Sequence, residues 1–299
     1  MARRRGIARS AVIALAGVLV STGVAMAGGG AAPAAIPDLH HIYLIVMENR
    51  GFGAIVGNAD APYINGLIAE GGLATSYDAV SHPSEPNYLA LFAGSTFGIG
   101  DDGVYHLGGR NLADQLAAGH RSWHVYAQDY PGGCSQVASA RGPVDFAGAA
   151  GTYARKHVPA ISFTDISNNA PRCARITHLA GFDPAASDFE MIVPNLTNDM
   201  HDGTIAQGDA FLRSFVPTIT ESAAFADSLL IITWDEGTSN QGGGGRVATI
   251  LVSGAVPAGY RSAVRHDHYS LLRTIEDAWG LGCLRRTCHA NDLREFFSP

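Results

Sequence analysis

Ile42-Tyr43-Leu44-Ile45-Val46-Met47-Glu48-Asn49-Arg50 is the stretch that decides the fold. Six consecutive apolar side chains leave no polar face. The strand they form must be covered on both sides, as in a parallel sheet with helices above and below it. Polar residues follow at once, and the carboxyl ends of strands are where open α/β sheets bind ligands. The same order recurs at Leu229-Leu230-Ile231-Ile232-Thr233-Trp234, followed by Asp235-Glu236-Gly237. Two adjacent carboxylates at the end of a buried strand repel each other, and a cation relieves that repulsion.

Working outward, strand-like runs stand at Trp123–Ala127, Phe189–Val193 and 247–252. Helix-like segments cover 62–70, 86–93, 111–118 and a region from Thr204, with Pro217 expected to open a further helix and 269–279 the last. Alternating strands and helices predict an α/β domain with a largely parallel central sheet flanked by helices. The stretch 130–185 is rich in Gly, Pro and Ser and reads as an insertion over the sheet that shapes a substrate pocket. The glycine run 242–245 lacks the Lys-Ser/Thr ending of a nucleotide loop and reads as a flexible loop.

The chain has 299 residues, 20 basic and 27 acidic, for a formal charge of −7. That balance argues against a general nucleic-acid binder. Lys156 is the sole lysine among the basic residues. Residues 1–27 read as a signal peptide: Arg3, Arg4, Arg5 and Arg9, an apolar run over 11–20, then Ala25-Met26-Ala27. The run is too short to span a bilayer, so no integral membrane segment is expected after cleavage. Residues 28–37 read as a linker and 38–299 as one domain. Without the first 27 residues, 16 basic face 27 acidic residues, a charge of −11. The four cysteines allow three pairings in an exported chain, with Cys283–Cys288 and Cys134–Cys173 preferred on spacing.

Three further clusters carry chemistry. His82-Pro83-Ser84-Glu85-Pro86-Asn87-Tyr88 puts a serine at a helix start, where free N–H groups favour a phosphate. A serine in that position is also an ordinary helix cap. Asn198-Asp199-Met200-His201-Asp202 follows one strand, and His266-Asp267-His268 precedes the last helix. Neutral imidazoles there can ligate metal, contact phosphate or protonate a leaving alkoxide.

Taken in order, Met-Glu-Asn after a strand, Pro-Ser-Glu-Pro-Asn-Tyr, Asn-Asp-Met-His-Asp, Trp-Asp-Glu-Gly and His-Tyr-Ser-Leu-Leu-Arg-Thr-Ile-Glu resemble a bacterial phosphoesterase family. It contains phosphocholine-type phospholipases C and secreted acid phosphatases and belongs to the alkaline-phosphatase-like superfamily. The resemblance runs from about His40 to about Leu281. It implies an alkaline-phosphatase-like fold and metal-assisted attack on phosphorus. It implies Ser84 as nucleophile, and Glu48, Asn49, Asp235, Glu236 and Ser84 as metal ligands. It also implies Asn87 as a phosphoryl contact, His201 and His268 as catalytic histidines, and His82 and His266 at the substrate. The chain departs from the two-metal pattern of the superfamily: Thr197 stands four before His201, and Asp235-Glu236 replaces Asp-His. One divalent ion per chain is expected, with Mg, Mn, Ca and Zn all open.

These residues predict a secreted, metal-dependent phosphoesterase working through a phosphoserine, with an acid-phosphatase type of substrate. The alternatives are a phospholipase C-type diesterase acting on phospholipid head groups and a degenerate secreted protein that binds phosphate or glycan. A carboxyl-esterase triad is disfavoured, because in Gly94-Ser95-Thr96-Phe97-Gly98 the serine falls one place early for a nucleophile elbow. The oligomeric state has no signal in the sequence.

Overall fold

An eight-stranded sheet organises the molecule. Its strands are β1 (Ile42–Met47), β2 (Gly72–Ala74), β3 (Trp123–Ala127), β4 (Ile176–His178), β5 (Phe189–Val193), β6 (Leu229–Trp234), β7 (Thr249–Val252) and β8 (Tyr260–Ser262). They lie in the order β8-β2-β7-β6-β1-β5-β3-β4. Central β1 pairs in parallel with β5 and β6, which explains why all six of its residues are buried. Only β7 runs against its neighbours. The computed structural model describes residues 1–2, 35–141 and 151–297. The chain divides into two units, Met1–Pro33 and Ala34–Pro299, and the second is described here. The expected signal peptide and most of the linker lie outside the described residues.

The main helices are α1 (Pro62–Glu70), α2 (Ser84–Ala93), α3 (Leu112–Ala118), α4 (Ile205–Thr220) and α5 (His268–Ala278). All ten residues of α2 are buried, so its first residue has a fixed position. It ends at Gly94 in a left-handed conformation, where a Cβ would meet the Leu284 carbonyl oxygen at 2.2 Å; only glycine fits. Asn111 and Asp114 close α3 with a capping box, and Thr204 with Gln207 does the same for α4.

Three expectations need correction. Pro217 opens no second helix but sits inside α4. Its missing N–H forfeits one hydrogen bond, and the continuous apolar face of Phe211, Leu212, Phe215, Val216 and Ile219 holds the helix together across it. The 130–185 stretch is part of the sheet as well as a cover, because it contributes edge strand β4, which pairs with β3. The Cys134–Cys173 disulfide ties its two flanks, and Cys283–Cys288 closes the second expected pair. The glycine run is a packing surface: Cβ atoms at Gly243 and Gly244 would lie 2.3 and 2.2 Å from the Val80 and Ser81 carbonyl oxygens. It backs the segment that leads into Ser84. Among the described residues, no helix is long and apolar enough to cross a membrane.

Candidate active site

The carboxyl ends of β1 and β6 lie side by side, so their trailing acids meet. The Asp235 N–H donates to the Met47 carbonyl, and the Asn49 N–H to Asp235 Oδ1 at 3.1 Å. Asn49 holds a left-handed φ of 51°, which asparagine tolerates better than most residues. Ser84, at the start of α2, is 1% exposed. Its hydroxyl donates to Glu48 Oε2 at 3.1 Å and lies 3.2 Å from Glu236 Oε1. The structure therefore gathers Glu48, Ser84, Asp235 and Glu236 into one buried cluster, with the Asn49 backbone bound to it.

The histidines divide. His82 contacts Glu236 through Nδ1 and the Ser239 carbonyl through Nε2 at 2.9 Å, so it orients a carboxylate. Burial works against its charge, but those two partners outweigh it and raise the ring's pKa. His201 is at the site: its Nδ1 meets Asp202 Oδ1 at 2.7 Å and its ring lies 6.0 Å from that of His157.

His268 is fully buried, donating from Nε2 to the Asp235 carbonyl at 2.5 Å and accepting at Nδ1 from the Tyr77 hydroxyl at 3.0 Å. With both nitrogens occupied and burial pushing its pKa down to about 4, it buttresses the Asp235 backbone and carries no mobile proton. His266 spends its nitrogens on Glu295 at 2.7 Å and Asn291 at 3.1 Å. It ties down the C-terminal segment, with both ring nitrogens engaged there. Asn87 also changes role. Its side-chain oxygen accepts from the Val80 and Ser81 N–H groups, and its amide donates to the Ser81 and Pro83 carbonyls. No donor remains for a phosphoryl oxygen, so Asn87 shapes the loop before Ser84.

The helix start itself is a poorer anion site than the sequence implies. The Glu85 N–H is taken by Asp102 Oδ1 at 3.0 Å, and Pro86 has none. Positive charge comes instead from Arg155 and Lys156, in a turn that sequence reasoning passed over, Arg155–His157. Arg155 is buried and pairs with Glu85 at 3.3 Å. Lys156 Nζ reaches Asp102 Oδ2 at 2.8 Å and Ser84 Oγ at 3.4 Å. His157 Nε2 lies 3.1 Å from Glu48 Oε1 and its Nδ1 3.4 Å from Asp199 Oδ2, misaligned for hydrogen bonds, and burial pushes the ring's pKa well below its usual value, so it brings no charge. The available signal was slight: three consecutive basic residues containing the chain's one lysine. Asp199 lies within Asn198-Asp199-Met200-His201-Asp202, where the sequence by itself gives it no role.

The acids at this site are crowded and poorly solvated. Burial and then mutual repulsion push the Glu48 carboxyl well above its usual range, and those of Asp235, to about 7, and Asp199 likewise. Glu48 Oε1, Asp199 Oδ2 and Asp235 Oδ2 are buried without a hydrogen-bond partner among the described residues. Native proteins rarely leave such oxygens bare. Among the described residues, no three His, Cys, Asp or Glu side chains are arranged as a ready-made cage. The oxygen-rich donor set around Ser84 nonetheless fits a hard divalent ion better than a soft one.

Known proteins resemble this chain in sequence and fold. The Phosphoesterase family pattern matches residues 57–282. A phosphatidylinositol-3-phosphatase of Mycobacterium tuberculosis is 37% identical over 84% of this chain and 81% of its own length. A phosphate-repressible acid phosphatase of Penicillium chrysogenum is 32% identical over 76% of this chain, which spans 57% of that protein. In structure, an alkaline phosphatase superfamily protein from Vibrio parahaemolyticus superposes with a TM-score of 0.54 at 11% identity, covering 87% of this chain and 71% of that one. The buried serine among strand-end acids and the match over most of the chain lead to one assignment: the chain belongs to the Phosphoesterase family, hydrolases of phosphoric esters.

Proposed function

We propose that the protein is an exported, metal-dependent phosphomonoesterase that works through a phosphoserine at Ser84. The observation that carries this reading is the Ser84 hydroxyl, fixed by a fully buried helix between Glu48 Oε2 and Glu236 Oε1. As Oγ attacks phosphorus, its proton passes to one of those two carboxylates. His201, held by Asp202, protonates the leaving alkoxide. Water then attacks the phosphoserine, and Oγ departs and recovers its proton. A divalent ion held by Glu48, Asn49, Asp235, Glu236 and Ser84 would offset the carboxylate charge and polarise the phosphoryl group.

Ser84→Ala should lower turnover of p-nitrophenyl phosphate by ~10⁴-fold or more while the melting temperature holds. Acid quenching during turnover should trap label on Ser84 of the wild type. Residual activity above about one per cent of wild type, or label elsewhere, overturns the assignment.

The two sequence relatives carry the name phosphatase, which supports a monoester over the phospholipase C-type diester. A second reading has its own support: the 37% identity to a phosphatidylinositol-3-phosphatase favours a phosphorylated lipid head group as substrate. Rates on phosphatidylinositol 3-phosphate vesicles, p-nitrophenyl phosphate and p-nitrophenylphosphorylcholine separate the three. Export is supported by the two disulfides, which suit an oxidising compartment. Sequencing the N-terminus of protein recovered from culture medium should give a start at residue 28.

A further inference from the structure

Resting on the reading of Ser84 as nucleophile, we propose that Lys156 is a further catalytic residue. Its ammonium is a fixed positive charge that holds the Ser84 oxygen as it attacks phosphorus and again as it leaves.

The geometry supports this from three sides. Lys156 Nζ donates to Ser84 Oγ at 3.4 Å, so it touches the reacting atom itself. Its place is set by Asp102, which takes Nζ on Oδ2 at 2.8 Å and the Glu85 N–H on Oδ1 at 3.0 Å. One carboxylate therefore locks the lysine to the helix that carries the nucleophile. The residues beside it are tied to the same site, Arg155 to Glu85 and His157 against Glu48. A surface lysine loses little by moving, but here the side chain is 19% exposed and its turn is pinned on both flanks.

Among the described residues, Lys156 is the one cationic side chain in contact with Ser84 Oγ. A serine oxygen that attacks or departs carries developing negative charge, and here it lies between two carboxylates that repel that charge. The helix start offers little relief, because the Glu85 N–H is taken and Pro86 has no N–H. Preorganised charge beside the reacting oxygen favours the transition state over the ground state. In the first step Oγ gains a bond to phosphorus, its proton goes to Glu48 or Glu236, and the substrate alkoxide leaves. In the second, water supplies the new P–O bond and the Oγ–P electron pair returns to Oγ. Lys156 stays protonated throughout, so one group serves both half-reactions.

Lys156 is the chain's one lysine and all four cysteines are paired, which permits a clean test. Lys156→Met should cut kcat by ~50-fold or more while KM moves less than about threefold. Rapid quenching should show both formation and breakdown of phosphoserine slowed. Lys156→Cys, treated with 2-bromoethylamine so that the thiolate displaces bromide and rebuilds an ammonium at nearly the same reach, should recover at least about a tenth of wild-type kcat. In wild-type enzyme, acylating the ε-amine with succinic anhydride should abolish turnover, and vanadate should protect. Lys156→Arg should keep its own rate through the same treatment. Wild-type kcat in Lys156→Met, a change in KM alone, or slowing of phosphorylation without dephosphorylation would overturn the proposal. If the variants fail to fold, acylated wild type that retains activity does so. Loss of the Ser84 assignment shows separately, as turnover in Ser84→Ala.

Discussion

The two ends of the central sheet both bury acids and treat them in opposite ways. At the amino end, Asp188 accepts from Arg121 Nη1 at 2.9 Å, the Ser122 N–H at 2.7 Å and the Ser122 hydroxyl at 2.6 Å. Burial pushes its pKa up, but those donors outweigh it and hold the group below its usual range. Nearby Glu190 takes the other route, with burial raising it to about 8, so it is largely protonated at neutral pH. At the carboxyl end, Glu48, Asp199 and Asp235 crowd together with unpartnered oxygens. The amino end leaves a single oxygen of these two acids, Glu190 Oε2, without a partner, and the carboxyl end gathers three unpartnered acid oxygens near one serine. Such a concentration of unpartnered acid oxygens around one buried serine marks a candidate functional site.

The comparison breaks most sharply at Glu48. Glu48→Gln should lower phosphatase activity by at least ~10²-fold and weaken metal binding measured by calorimetry. In chelator-treated protein the same change should leave the melting temperature equal or higher, because it removes a buried acid that crowds Asp199 and Asp235 and lacks a full set of partners. Asp188→Asn should do the reverse, costing about 1–3 kcal/mol of stability with kcat unchanged. A Glu48→Gln protein that melts well below the metal-free wild type would remove the distinction between the two ends.

This contrast also explains what the sequence revealed. Runs such as Ile42–Met47 and Leu229–Trp234 announce buried strands, and the acids after them fall at their carboxyl ends because a strand fixes where its next residue points. The fold and the cluster of Glu48, Ser84, Asp235 and Glu236 were therefore legible. Lys156 and His157 were not. They reach the site from a turn in an irregular connection, placed by the Arg155–Glu85 pair and by packing that has no sequence period. Histidine roles were half legible for a related reason. A motif shows that an imidazole is near, but its partners decide whether its proton is free. His268 has two fixed partners and His201 has one.

That difference yields the next test. His201→Asn should lower kcat by ~10²-fold on an alkyl phosphate, and by much less on p-nitrophenyl phosphate, whose leaving group needs no proton. Its melting temperature should barely change. His268→Phe leaves the Tyr77 hydroxyl and the Asp235 carbonyl without their partner, so stability should fall by roughly 1–3 kcal/mol. Its activity should drop equally on both substrates. If His268→Phe shows the leaving-group dependence and His201→Asn does not, the two assignments are exchanged.

The smallest effect belongs to the amino end. Glu190 is fully buried at the second position of β5, where Oε1 accepts from the Ser187 N–H at 3.1 Å. Burial is the main cause of its rise to about 8, with Asp183 adding to it against that single bond. Its folded-state pKa stands above the unfolded value, so the folded protein retains a proton that the unfolded chain releases. The associated stability is present in full below about pH 4.5, declines as pH rises, and is gone above about pH 8. Each pH unit inside that window should cost at most ~1.4 kcal/mol from this group. Glu190→Gln keeps the shape and the acceptor oxygen but cannot ionise. Between pH 5.5 and 7.5 its unfolding free energy in urea should therefore fall less steeply than that of the wild type, with turnover unaffected. The site carboxylates titrate in both proteins, so the difference between the two slopes isolates Glu190. Parallel slopes would mean that Glu190 ionises normally, and that the amino end buries it as a charged acid.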